Sequence, residues 1–174
     1  MEHHEFQQMQ QLPLEIKILK SQQRIREWYE HYCGDVYVSF SGGKDSTVSL
    51  HLVRELYPDG PAVFVDTGLE YPEIKEFVNT FDNVTIKRPK MSFLQVIEKY
   101  GCPVVSKEQS QFIACYRNTK SQYMKDLRWN GTDYGFGKIS EKWEYLIEAP
   151  FKISDKCCNV MKKSPMKTYA KKNW

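Results

Sequence analysis

The sequence lacks any apolar run long enough to cross a bilayer, and its start, Met-Glu-His-His-Glu-Phe-Gln-Gln, lacks the basic and apolar regions of a signal peptide. The expectation is a cytoplasmic protein with no membrane contact. Cysteine is scarce: Cys33, Cys102, Cys115, Cys157 and Cys158 are odd in number and not spaced as a disulfide scaffold, which agrees with a reducing compartment. A strong charge bias is also absent. With 25 Lys and Arg against 22 Asp and Glu the net charge is +3, too small by itself to indicate a nucleic-acid partner. There is no internal repeat and no interdomain linker. A chain of 174 residues, 41% hydrophobic and 27% charged, fits one globular domain with a sizeable core.

What is present is concentrated between Val36 and Leu52. Five β-prone residues, Val36 to Phe40, run into Ser41-Gly42-Gly43-Lys44-Asp45-Ser46, after which Val48, Leu52 and Leu56 take up helical spacing. The reading is strand, tight polar turn, helix. Two glycines let the backbone turn and approach a ligand, and the free N–H groups of the next helix's first turn point into the space above the strand. The helix dipole, the Ser41 and Ser46 hydroxyls and the Lys44 ammonium all favour an anion there, phosphate or sulfate. Gly-x-x-x-x-Gly-Lys-Ser/Thr cannot be drawn through the segment, so it is not a Walker A loop.

In chain order, residues 1–11 read as a loose glutamine-rich arm. Leu14, Ile18, Ile25, Trp28 and Tyr32 form the apolar stripe of a helix ending near Gly34. Ala62 to Val65 reads as a buried parallel strand ending in Asp66-Thr67-Gly68, where open α/β sheets bind ligands. Pro72 opens a helix, Val84 to Ile86 is a third strand, Ser92 to Gln95 is a capping box, and Ser106 to Gln109 opens a further helix in the same way. From Asn118 the pattern weakens. Residues 131–137 read as a mobile aromatic-glycine loop, Ser140 as the cap of a short helix, Phe151 to Ile153 as a fourth strand, and Pro165 as the start of a basic helix. Residues 152–174 carry seven lysines against one acid, Asp155. Strand and helix alternate, so the fold expected over residues 12–174 is one three-layer α/β domain, Rossmann-like, with a mostly parallel sheet and strand 36–40 in its centre.

Three segments, Ser39 to Ser46, Val63 to Glu73 and Cys157 to Met166, together resemble the phosphoadenosine phosphosulfate (PAPS) reductase family. This family lies within the PP-loop adenine-nucleotide α-hydrolase-like superfamily. The resemblance implies that Ser39, Ser41, Gly42, Gly43, Lys44, Asp45 and Ser46 contact the anionic end of a nucleotide, that Asp66, Thr67 and Gly68 face the adenosine, and that Lys162 and Lys163 reach a phosphate or sulfate. The nucleotide would be PAPS, APS or ATP, with Mg²⁺ if it is ATP, and the electron donor a thioredoxin-like protein.

Members of the family continue past the position of Trp174, with a nucleophilic cysteine on a C-terminal tail and, in one branch, a second cysteine pair. The resemblance therefore implies that Cys157 and Cys158 are half of an iron–sulfur site, a [4Fe–4S] cluster forming only if another chain completes it. Their lysine-rich surroundings are expected to lower their pKa. The catalytic residues stay open, with Lys44, Asp45, Cys157 and Cys158 as candidates. Three functions also stay open: a sulfonucleotide reductase, an ATP pyrophosphatase that adenylates an acceptor, and a catalytically silent nucleotide-binding module. The last would act through a protein partner, whereas full reductase activity would need the missing cysteines from a partner or a second copy of the chain.

Overall fold

The structure is a computed structural model describing residues 3–173; the expectations for Met1, Glu2 and Trp174 lie outside the described residues. The chain forms two compact units. The first holds residues up to Asp66 and Glu70–Lys87, and the second holds Thr67–Leu69 and Arg88–Asn173.

The first unit contains α1 (His3–Gln11), α2 (Leu14–His31), β1 (Val38–Ser39), α3 (Lys44–Leu56), β2 (Ala62–Val65), α4 (Pro72–Asn79) and β3 (Val84–Lys87). The strands form one parallel sheet in the order β1-β2-β3, with Val38 opposite Ala62 and Ala62 opposite Val84. Parallel neighbours need crossovers, and α3 and α4 provide them. Leu50 of α3 and Val78 of α4 share one core cluster with Phe40, Ala62 and Phe64, so both helices cover the same face of the sheet. A sequential strand order joined by crossovers of one hand requires this arrangement. The α/β, Rossmann-like expectation is borne out.

Four details differ from the sequence reading. The ladder of β1 is confined to Val38–Ser39, although Phe40 still donates its N–H to the Val63 carbonyl at 3.0 Å. The middle strand is β2, and β1 lies at an edge. Residues 3–11, read as a loose arm, are helical. The stripe of α2 is also less covered than its periodicity suggests, for Leu14, Trp28 and Tyr32 are 66%, 61% and 43% exposed.

The second unit contains α5 (Phe93–Tyr100), α6 (Lys107–Asn118), α7 (Gln122–Asn130), a 3₁₀ segment (Glu141–Glu148), a π-helical turn (Asn159–Lys163) and α8 (Ser164–Asn173). Its core gathers Phe112, Ile113, Ile139, Leu146, Ala149 and Ile153. The capping box of α5 is formed: Gln95 N–H donates to Ser92 Oγ, and Ser92 N–H donates to Gln95 Oε1 at 2.8 Å. The expected fourth strand is only an isolated parallel bridge between Cys102 and Ile153. The segment 131–137 is closed by hydrogen bonds, with Thr132 N–H donating to Phe136 O at 2.8 Å and Gly135 N–H to Thr132 O at 2.7 Å. No helix among the described residues is long and apolar enough to cross a membrane.

Helical structure begins at Cys157, ahead of Pro165, so the proline is interior rather than first. A proline ring collides with the carbonyl four residues back and has no N–H to offer it. The chain widens by one residue just before it, and Ser164 N–H donates to Asn159 O, five residues back. Such π-turns are the usual relief for a mid-helix obstruction.

Candidate functional site

The segment Ser41–Ser46 leaves the carboxyl end of β1 and turns into α3. Gly42 makes the turn at φ +73°, a left-handed conformation that suits glycine. It also lies against α4, where a Cβ would meet Ile74 Cγ2 at 2.8 Å and Val78 Cγ2 at 3.0 Å. Gly43 is the N-cap and offers no side-chain acceptor, so the first N–H groups of α3, at Lys44, Asp45 and Ser46, point out of the helix without an intrahelical acceptor.

Ser46 ties the loop together. Its hydroxyl donates to Gly43 O at 2.8 Å and accepts from Ser41 N–H at 3.2 Å, while the Ser41 and Ser46 hydroxyl oxygens are 3.0 Å apart. Thr47 Oγ1 adds a second hydrogen bond to Gly43 O at 3.0 Å. The hydroxyls therefore hold the shape of the loop and leave the backbone N–H groups to face solvent. Ser39, Ser41, Gly43, Lys44 and Asp45 are exposed, and Gly42 and Ser46 are half-buried.

At the end of β2, Asp66 N–H donates to Lys87 O at 2.8 Å, continuing the ladder by one residue. Its carboxylate forms an ion pair with Lys75 Nζ of α4 at 2.8 Å and is 12% exposed. Lys75 has no place in the sequence reading. It falls one turn into the helix that Pro72 opens, a position from which a lysine can reach back to the preceding strand end. Thr67 and Gly68 belong to the second unit; Thr67 is buried, with Oγ1 accepting from Leu69 N–H at 3.3 Å. Gly68 has φ +81° and open space where a Cβ would stand.

Cys157, Cys158, Lys162 and Lys163 also lie in the second unit, on the helical turns that begin at Cys157 and widen at Asn159. For Cys157 the expected lowering of the pKa is contradicted. Burial pushes the Cys157 thiol up, and the charge and side-chain hydrogen bond of Cys158 push it further, as does the Asp155 carboxylate; a backbone hydrogen bond at Cys158 opposes them in part. The lysines are engaged or exposed elsewhere. Lys156 Nζ stands over the Tyr100 ring at 5.3 Å, Lys152 Nζ is 3.4 Å from the Lys99 carbonyl, and Lys162 and Lys163 are exposed. Cys157 is thus a thiol at neutral pH. Its alkylation by iodoacetamide at pH 7 is expected to be slower than that of free cysteine, with the rate rising past the pH at which free cysteine levels off. An alkylation midpoint at or below that of free cysteine, read by mass spectrometry, would show the lysines in control.

Among the described residues no three His, Cys, Asp or Glu side chains gather as a metal site. A [4Fe–4S] cluster takes four thiolates, and all five cysteines are free, with no second pair beside Cys157 and Cys158. Among the described residues this chain by itself offers Cys157 and Cys158 as two of those four thiolates and does not complete the cluster.

The model of the phosphoadenosine phosphosulfate reductase domain family matches residues 35–131. The chain belongs to this family. The matched range runs from the approach to β1 through α7, and so takes in the 41–46 loop and Asp66-Thr67-Gly68 but not Cys157 to Lys163. Among individual proteins, the chain is similar to the phosphoadenosine 5'-phosphosulfate reductase of Photorhabdus laumondii, 33% identical over 42% of this chain and 30% of that protein. The reductase of Alkalilimnicola ehrlichii is 32% identical over 50% of this chain and 38% of its own length. An uncharacterized protein of Methanocaldococcus jannaschii is 37% identical over 48% of this chain and 22% of its own. The chain spans between about a fifth and two-fifths of the length of these relatives.

Proposed function

We propose that this PAPS reductase-family chain binds an adenine nucleotide with its phosphosulfate or polyphosphate end on residues 41–46. The observation that carries the reading is the loop at the carboxyl end of β1: three outward N–H groups at a helix N-terminus, a left-handed Gly42 wedged on α4, and a Ser41–Ser46 pair that fixes the turn. Each backbone N–H donates to an anionic oxygen, the helix dipole adds its positive end, and Lys44 contributes a mobile ammonium. Because the hydroxyl of Ser46 is already committed to Gly43 O, Ser46 acts by positioning the loop. An adenosine-facing role for Asp66 runs through its ion pair with Lys75, which neutralises the carboxylate beside an anionic ligand.

The reaction class proposed is sulfonucleotide reduction, in which a thiolate attacks sulfur and a thioredoxin-type donor resolves the product. Cys157, held as a thiol, is a poor nucleophile for that step, and no step is assigned to an iron–sulfur cluster. The chain alone is therefore expected to bind nucleotide and to release little sulfite, full activity needing cysteines from a partner or a second copy. If ATP is the ligand, the alternative is adenylation with release of pyrophosphate. Mg²⁺ then offsets the phosphate charge, and Asp45 is the carboxylate the loop offers for it.

Calorimetric titration with PAPS, APS and ATP tests the site. Lys44→Ala is expected to weaken binding by about 1–3 kcal/mol, the range for a charge-assisted hydrogen bond. Equal affinities of wild type and Lys44→Ala, or no binding by either, would remove the assignment. Sulfite release with thioredoxin then separates the reactions: rapid turnover abolished by Cys157→Ser would make the cysteine pair catalytic against this reading.

A further inference from the structure

Residues 156–173 carry six lysines and no acid. How α8 is seated in the second unit decides where four of them point. Tyr169 is buried and Pro165, Met166 and Ala170 are half-buried, so one side of the helix is committed to packing. The other side presents Lys163, Lys167 and Lys171, all exposed and four residues apart, with Lys172 exposed beside them. At about 1.5 Å of rise per residue, the three side chains leave the helix about 6 Å apart along one stripe.

Like charges at this spacing repel and destabilise a helix. Among the described residues none of the four lysines has an ion-pair partner. The helix dipole accounts for Lys171 and Lys172, which stand in the last turn, but its effect does not extend back to Lys163 and Lys167. The row is therefore a burden on the fold that an anionic partner would relieve.

We propose that this face of α8 binds the phosphate backbone of a nucleic-acid strand without reading its bases. A lysine ammonium is a point charge that meets any phosphate, and the face holds no arginine for bidentate recognition. A helix that lies on a membrane sets Trp, Phe or Leu beside its lysines, whereas the residues between these are Ser164 and Thr168, both exposed. An acidic protein surface would be held by aromatic or arginine anchors, which the outward side also lacks. What the row does match is a linear chain of evenly repeated single charges. Lys167 and Lys171 have no part in the nucleotide contacts that the resemblance gives to Lys162 and Lys163, so mutation can separate the two functions.

Fluorescence anisotropy of a labelled single-stranded oligonucleotide, measured over a series of salt concentrations, tests the surface. Each neutralised phosphate contributes about −0.7 to the slope of log K against log salt, so three to four lysines predict a slope of about −2 to −3. Lys167→Ala with Lys171→Ala should weaken binding at least tenfold at low salt and make the slope shallower by about 1.4, for oligonucleotides of any base composition. Both positions are exposed and alanine is the stronger helix former, so the helical circular dichroism is expected to persist. Lys167→Arg with Lys171→Arg keeps the charge and should keep both the affinity and the slope. Titration with PAPS, APS and ATP should be unchanged by the alanine pair, whereas Lys44→Ala should weaken the nucleotide and leave the oligonucleotide alone. Absence of binding at low salt, a slope near zero, equal binding by wild type and the alanine pair, or loss of binding in the arginine pair would overturn the proposal. So would tighter binding of polyglutamate or of phosphatidylserine vesicles at the same salt, which would give the face to an acidic protein or a membrane.

Discussion

Gly42→Ala is expected to abolish nucleotide binding at the 41–46 loop and to cost about 2–4 kcal/mol of stability. Alanine at φ +73° loses about 1–2 kcal/mol from backbone strain alone. Its methyl would then stand 2.8 Å from Ile74 Cγ2 and 3.0 Å from Val78 Cγ2. Val78 is 1% exposed and belongs to the cluster with Phe40, Leu50, Ala62 and Phe64, so it has no space into which to retreat, and the loop must lift from α4 instead. Lifting carries Ser41 away from Ser46 and turns the first N–H groups of α3 off their common target. Gly43→Ala is the control, because Gly43 is extended at φ −81° and a Cβ there has only Ser41 Oγ nearby, at 3.5 Å. Equal nucleotide affinities and denaturation midpoints for the two variants would show that the wedge on α4 does not shape the loop.

The parts of this fold that were readable are those whose cause is local. Ser92 and Gln95 close a capping box between neighbours in the chain, Pro72 is tolerated at a first helical turn wherever it occurs, and the apolar run Ala62–Val65 has few alternatives to a buried strand. The 41–46 segment was readable for the same reason, since glycines between a strand and a helix dictate the turn. What was misread depends on partners distant in sequence. The composition of β1 indicates a strand covered on both faces, but composition does not say whether the strand is central or at an edge of the sheet. The stripe on α2 has a period and no information about what covers it. In α7, Tyr123, Asp126 and Leu127 give too weak a pattern to read, and the helix is set by Ser121, whose hydroxyl accepts from Met124 N–H, and by Gly131 at its end. For Cys157, counting nearby lysines misled because charge acts through direction and distance. Lys156 points to Tyr100, and burial decides the sign.

Gly101→Ala is expected to cost more stability than any other glycine substitution in the second unit, about 3–5 kcal/mol. Gly101 ends α5 at φ +106° and ψ 172°, a region open essentially to glycine alone. A Cβ there would fall inside the closest approach of the Lys152 carbonyl, which is backbone and can move only by shifting the chain. That chain is pinned on both sides: Cys102 N–H donates to Lys152 O at 2.9 Å, Ser154 N–H donates to Cys102 O at 3.1 Å, and Ile153 is 4% exposed in the core of the unit. Two hydrogen bonds and the seat of Ile153 are therefore lost together. Three residues after Ser154 comes Cys157, so the same displacement should loosen the burial that holds it as a thiol and raise its alkylation rate at pH 7. Gly135→Ala separates strain from collision, because Gly135 has φ +74° but open space around a Cβ, and it should cost only the 1–2 kcal/mol of strain. Denaturant unfolding of the two variants, with Cys157 alkylation followed by mass spectrometry, provides the comparison. If Gly101→Ala were no more costly than Gly135→Ala, the close contact between the end of α5 and residue 152 would not be part of the folded chain.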